Sequence, residues 1–275
     1  MPNVPVSVII PALNAEDFIR AALESVHAQT LGVAEIILVD NGCTDCTPQI
    51  AKEMGARIIR REKRGISAAR NAGIMASRQQ WIALLDADDE WDEQKIERQW
   101  SLIEACPEAG IVSCDFSLMR DGLVIEQITE ELLRKRWQGY SGRQAVGEHS
   151  VYIPQIESDF FFRFFPSPST VMLRRDVFER VGLFDEEVLY SEDFEYFMRV
   201  FARYPLAIVE LPLVRHSQHA RKHSLHLDEM RNGSFAVVTK MLERPELYPP
   251  GAGELFRERF KSSFLHVERS IAGKK

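Results

Sequence analysis

The feature that most narrows the fold is an alternation of short apolar runs with helical patterns through the first 115 residues. Val6 to Ile10, Glu35 to Asp40, Ala56 to Arg60 and Trp81 to Asp86 are short, apolar and bounded by polar or turn residues, as buried strands are. Ile111 to Cys114 reads as a fifth strand. Between them, Phe18, Ile19, Ala22, Leu23 and Val26 form a helical stripe with Asn14 as its expected cap. Further helices are expected over Thr47 to Met54, Ser67 to Ser77 and Glu93 to Ala105. Parallel strands need crossover connections, so this alternation implies a mostly parallel sheet with helices on both faces.

Two of these strands end in aspartate, Asp40 and Asp86, which puts two carboxylates on one edge of the sheet. In open α/β sheets that carboxyl edge is where ligands bind. The second strand continues as WIALLDADDEW, adding Asp88, Asp89 and Glu90. Clustered carboxylates resist desolvation and require a cation, a polar ligand or open solvent. The spacing of Asp86 and Asp88 lets one reach a ligand hydroxyl while the other binds magnesium or manganese shared with a diphosphate. The plainer alternative is a solvated helix start capped near Asp89 or Asp92. Asp40, ahead of the turn pair Asn41-Gly42, can accept from a base N–H or a ribose hydroxyl, or simply cap its turn. Arg61, Lys63 and Arg64 read most simply as a solvated charge run, and Arg70 as an arginine within a helix of small residues.

The second half is less regular. Residues 116–160 read as an insertion with one weak helix around Glu130 to Trp137. DFFFRFFPSPS, at 159–169, fits an interior turn or a contact with a second copy; a loop touching a membrane or a lipid-linked substrate is the alternative. Ser169 to Leu173 and Leu206 to Leu211 read as strands, and Ser191 to Arg203 as a helix opening on Glu192-Asp193. After Leu227 the pattern is amphipathic helix with a break at PELYPPGAG.

A formal charge of −7 argues against general nucleic-acid binding, which relies on basic surface, and leaves room for a local basic site for a phosphorylated small molecule. The start MPNVPVSVIIP has no basic segment and runs directly into a strand, so a secretion signal is not expected. No apolar run approaches the roughly 20 residues needed to span a bilayer. The four cysteines are then expected to be reduced thiols in a cytoplasm, with Cys43 and Cys46 as small turn residues. The expected location is cytoplasmic, at or near the inner face of the membrane.

The stretches VSVIIPALNAEDFIRAALESVHAQ, EIILVDNGCTD, RGISAARNAGI and WIALLDADDEW resemble the nucleotide-binding half of a family 2 glycosyltransferase with a GT-A fold. PSTVMLRRDVFERVGLFDE followed by YSEDFEYFMRV resembles its acceptor half, so the likeness runs from about residue 4 to 224. It implies a GT-A domain over 1–224, with a nucleotide-binding half at 1–115 and an acceptor half at 116–224. A helical extension at 225–275 follows. The implied activity is inverting, metal-dependent transfer of a sugar from a nucleoside diphosphate sugar, UDP-linked by family habit, to a carbohydrate or lipid-linked acceptor.

The same resemblance assigns roles. Pro11, Ala12, Asn14, Glu16, Asp40, Gly65, Arg70, Asp86 and Ala87 fall on the nucleotide pocket. Asp88 and His219 fall on the metal, whether manganese or magnesium, and Asp193 on the catalytic base. Trp91, Ser169, Thr170 and Glu192 are the expected acceptor contacts. Two departures stand out. The usual D-D-G-S-T-D turn is here Asp40-Asn41-Gly42-Cys43-Thr44-Asp45. In the late Arg-x-His element the arginine is displaced to Arg215, which leaves His216 as a rival to His219. The glycine-rich loops of nucleotidyltransferases and dinucleotide enzymes are absent from Pro11-Ala12-Leu13-Asn14. A non-catalytic nucleotide-sugar binding protein is the alternative from another class.

Overall fold

The computed structural model describes residues 3–61, 65–120, 122–127, 129–156, 160, 163–219 and 227–259. Lys63 and Arg64 of the expected charge run, and Phe161 and Phe162, lie outside the described residues.

Strand β1 (Asn3–Ala12) leads to α1 (Ile19–His27), β2 (Gly32–Asp40), α2 (Thr47–Glu53) and β3 (Arg57–Arg60). Next come α3 (Ile66–Ala76), β4 (Trp81–Leu84), the short β5 (Glu90–Trp91) and α4 (Lys95–Ala105). The middle holds β6 (Ile111–Arg120), β7 (Leu123–Gln127), α5 (Glu130–Trp137), β8 (Gln144–Ala145) and β9 (Ser150–Ile153). The last part holds β10 (Met172–Arg174), α6 (Arg175–Val181), α7 (Glu192–Phe201), β11 (Leu206–Ser217), α8 (Leu227–Glu243) and α9 (Ala252–Arg259).

These strands form one sheet in the order β3-β2-β1-β4-β10-β6-β11-β9-β8, with β5 on β11 and β7 on β6. β1 pairs in parallel with both β2 and β4, and β2 with β3. β10 is antiparallel to β4 and β6, which keeps β6 and β11 running the same way as the first four strands. Each face is covered. Ile19, Leu23, Ala51, Ile96 and Leu102 pack under one side, and Ala69, Val177, Phe197 and Val237 under the other. That double burial is why β1 carries an almost unbroken apolar run instead of an alternating one.

Several expectations shift. α1 begins at Ile19 with Phe18 at its cap, so Asn14 is no helix cap. β6 and β11 continue to Arg120 and Ser217, well past the apolar runs that announced them. The extensions pair with each other, as Phe116 with Val214 and Met119 with Ser217, and bury polar residues that mask a strand pattern. One is Asp115, which accepts two hydrogen bonds of 2.8 and 2.7 Å from Arg136 of α5. The expected strand Ser169 to Leu173 is a 3-10 turn over Pro168–Thr170 followed by β10. In the phenylalanine stretch, Phe160 and Phe164 are buried, and Phe165 rests 5.2 Å from Phe194, so these described residues turn inward.

The C-terminal helices clamp α7. Val237, Val238, Met241 and Phe256 join the core. Lys240 reaches Asp185 at 2.6 Å and the fully buried Glu195 at 2.7 Å, and Tyr248 donates to Glu195 at 2.7 Å. No helix among the described residues is long and apolar enough to cross a membrane.

Candidate active site

The register Ala12 to Asp40 and Asp40 to Arg60 aligns three strand ends on one edge, and Asp86 emerges just beyond β4. Here the chain crosses from one side of β1 to the other, the switch point at which such sheets bind ligands. The loops after β1 and β2 are laced together. Asn14, at a positive φ of 52°, accepts from Thr44 N at 2.8 Å, and Ala15 N donates to Thr47 Oγ1 at 2.8 Å. Glu16 accepts from Cys46 N at 3.0 Å while its own N donates to Asp45 at 3.1 Å. Asn14 and Glu16 thus tie the loop after β1 to the loop after β2, and Asn tolerates the left-handed backbone this requires.

Asp40 is buried and caps its turn through Oδ1, which accepts from Gly42 N at 3.1 Å and Cys43 N at 2.8 Å. Its Oδ2 lies 3.7 Å from Arg60 Nε. The turn-capping reading of Asp40 therefore accounts for Oδ1. Ala12 is the register partner of Asp40, and Pro11, Ala12 and Ala87 are all buried. Cys43 contacts Ala12 O at 3.4 Å, and burial pushes its thiol up to about 11; all four cysteines are free. Gly65, at φ 138°, opens α3, where no side-chain cap occupies the first turn.

Arg70 differs most from its expected surface position. It is 2% exposed, donating to Asp86 Oδ1 at 3.0 Å and Glu192 Oε1 at 2.7 Å. Burial works against its charge, but the Asp86 and Glu192 carboxylates outweigh that and hold its pKa above the usual value. Asp193 lies next to this pair. Burial, reinforced by the charge of Glu192 and opposed by Arg70, pushes its carboxyl up to about 7. By surface area the whole residue is only half-buried; the carboxyl is the sunken part, accepting from Phe194 N at 2.7 Å. A carboxylate poised near neutrality can take a proton from a hydroxyl.

His219 Nε2 stands 2.8 Å from Asp88 Oδ2, and its ring stacks on Phe18 at 4.4 Å. His216 instead meets Asp89 Oδ2 at 2.6 Å. Beside Asp88 and His219 lies a hollow of about 240 Å³, bordered by Asp17, Phe18, Glu90 and Gln218. An imidazole nitrogen and a carboxylate oxygen facing each other are both ligand atoms for a divalent cation, and among the described residues His219 Nδ1 is buried without a hydrogen-bond partner. The donor set fits manganese or magnesium sharing oxygens with a diphosphate. Among the described residues no group of three or more His, Cys, Asp or Glu forms a metal cage, and magnesium seldom uses one.

The expected acceptor contacts need correction. Trp91 is 1% exposed and its indole donates to Ser169 O at 2.9 Å. Ser169 and Thr170 are fully buried; Ser169 Oγ receives Asp86 N at 3.0 Å, and Thr170 Oγ1 sits 2.9 Å from Ser113 Oγ. These three build the floor beneath the carboxylates and present no surface to a ligand. Glu192 does lie at the site, tied to Arg70. Sequence reasoning gave Phe18 only a core position and Asp89 only a capping one. The step from Asp86 to Asp89 in an acidic cluster was the one signal for the latter.

The sheet order and the carboxylates along its carboxyl edge define a GT-A architecture. Residues 7–182 match the family described as Glycosyl transferase family 2, and the chain belongs to it. The glycosyltransferase EpsJ of Bacillus subtilis is 31% identical over 71% of this chain. The amylovoran biosynthesis glycosyltransferase AmsB of Erwinia amylovora is 24% identical over 99% of this chain and 90% of its own. The chain spans only 33% of EpsH, 56% of EpsJ and 58% of the Rickettsia prowazekii glycosyltransferase RP339. S. aureus TarS, solved with UDP-GlcNAc, superposes with a TM-score of 0.69 at 15% identity, covering 95% of this chain and 73% of that one. At that identity the likeness concerns the fold.

Proposed function

We propose that this chain transfers a sugar from a nucleoside diphosphate sugar, with UDP as nucleotide, to an acceptor hydroxyl with inversion at the anomeric carbon. The observation carrying this is the buried Arg70 bridging Asp86 and Glu192 next to Asp193, at the strand ends where Asp88 meets His219. Asp40 and the laced loops hold the base, and Asp86, 28% exposed at its side chain, accepts from the ribose while keeping its bond to Arg70. Asp88 and His219 would hold manganese or magnesium, which would supply positive charge beside the diphosphate when bound. Asp193 accepts the acceptor's proton as its oxygen attacks the face opposite the leaving group. Glu192 keeps Arg70 in place and raises the basicity of its neighbour.

The name of AmsB supports a carbohydrate acceptor in polysaccharide assembly, and the expected setting is the cytoplasmic side of a membrane carrying a lipid-linked chain. A thermal-shift screen of UDP-, GDP- and TDP-sugars with and without manganese tests donor and metal together, since a ligand that binds only the folded state raises the melting temperature. A shift with a UDP-sugar that needs manganese, followed by slow donor hydrolysis, supports the proposal. Donor binding with no hydrolysis or transfer to any sugar acceptor points to a binding protein.

A further inference from the structure

We propose that Asp89 is a positioning residue that sets the separation of Asp88 and His219, acting through Ser169 and His216. The inference rests on Asp88 and His219 forming the metal pair. Asp89 has no exposed surface, and a buried carboxylate must be compensated. Its Oδ2 accepts from Ser169 Oγ at 2.7 Å and faces His216 Nδ1 at 2.6 Å, and its Oδ1 accepts from Ser217 N at 3.2 Å. A carboxylate only accepts, so His216 carries its proton on Nδ1.

Those bonds join two segments that are far apart in sequence. Ser169 Oγ also receives Asp86 N at 3.0 Å, and Asp89 N closes the turn onto Asp86 O at 3.1 Å, which ties down the segment carrying Asp86 and Asp88. On the other side, His216 and Ser217 are the end of β11, and His219 follows two residues later. Among the described residues His219 has no second hydrogen bond to orient its ring, because Nδ1 meets no partner there. Its position therefore comes from stacking on Phe18 and from the anchored backbone at 216–217. His216 itself is 8% exposed, with its Nδ1 given to Asp89 and its ring packed against Phe116 at 4.5 Å, so Nδ1 is committed to Asp89. Groups that orient metal ligands from behind typically contribute about 10–100-fold in metal affinity.

The test is manganese binding in the presence of UDP, followed by the electron paramagnetic resonance of free Mn²⁺, on wild type, Asp88→Asn, His216→Leu and His216→Asn. The asparagine amide can present an N–H where Nδ1 stood, whereas leucine cannot. The expected result is a loss of about 10–100-fold in Mn²⁺ affinity for His216→Leu and recovery of most of it in His216→Asn, both measured below their melting temperatures. Wild type that takes up no Mn²⁺, or Asp88→Asn that binds as wild type does, overturns the metal pair and this inference with it. Undiminished affinity in His216→Leu, or equal loss in both His216 variants, overturns the positioning role alone. If His216→Leu fails to fold, Ser169→Ala opens the same link from the other side, and unchanged affinity there is the overturning result.

Discussion

Arg70 and Glu192, 122 residues apart, meet at 2.7 Å, and through that contact α3 and α7 face each other across the sheet edge. The same guanidinium holds Asp86, so one buried cation serves a strand-end carboxylate and the first turn of the helix bearing Asp193. Removing it leaves carboxylates without countercharge. Arg70→Met is expected to cost about 3 kcal/mol in urea unfolding, at the lower end of the range for broken buried pairs because Asp86 keeps some contact with solvent. Arg70→Lys restores only part, since a single ammonium does not reproduce the planar fork.

As the proposed general base, Asp193 is expected to set the pH dependence. A base raised to about 7 is half protonated there, so kcat/KM for transfer rises with pH through a limb near 7. Asp193→Asn keeps shape but cannot take the proton; a fall in rate of about 10²–10⁴-fold is expected with donor affinity near normal. Stability carries the opposite sign. The folded pKa lies above the unfolded value of about 3.9, so the folded state binds more protons and this group's contribution falls as pH rises from about 4 to 7. Chemical denaturation at pH 5 and pH 8 should therefore show Asp193→Asn gaining relative to wild type at the higher pH.

Asp88→Asn removes one of two protein oxygens or nitrogens proposed for the metal. Transfer should become undetectable while the circular dichroism spectrum is retained. Activity of the wild type that persists in excess chelator contradicts the metal proposal.

Gly233 reports on the clamp behind α7. A Cβ placed there would lie 2.5 Å from Tyr190 Cβ and 2.6 Å from Tyr190 O, beside the Ser191 that hydrogen-bonds Ser234. Alanine is the better helix former by about 1 kcal/mol, yet overpacking costs about 1–3 kcal/mol. Gly233→Ala should lower the melting temperature. It should also slow transfer, because Tyr190 directly precedes the turn that presents Glu192 and Asp193.

The legible parts were those whose signal is local. Val6 to Ile10 and Trp81 to Asp86 declared themselves as strands because burial on both faces leaves little place for polar residues. The reach of β6 and β11 did not, because Ser113, Asp115 and Ser117 are polar residues buried by partners distant in sequence. Trp91, Ser169 and Thr170 were expected to face an acceptor. Their polar atoms are instead bonded within the protein, Trp91 to Ser169 O, Ser169 to Asp86 and Asp89, and Thr170 to Ser113, which no spacing reveals.

The sequence by itself determined the alternating class of the fold and the edge on which Asp40, Asp86 and Asp88 emerge. Both follow from the period of burial along the chain and from strand direction. Only the tertiary structure decided which charge meets which. Asp88 found His219 across 131 residues, Asp89 found His216 across 127, and Arg70 turned from a helix surface into the core. Local patterns mark a residue as half-buried or polar. The partner that makes burying a charge tolerable is chosen when helices and strands pack, because the cost of desolvation depends on what the neighbouring element brings.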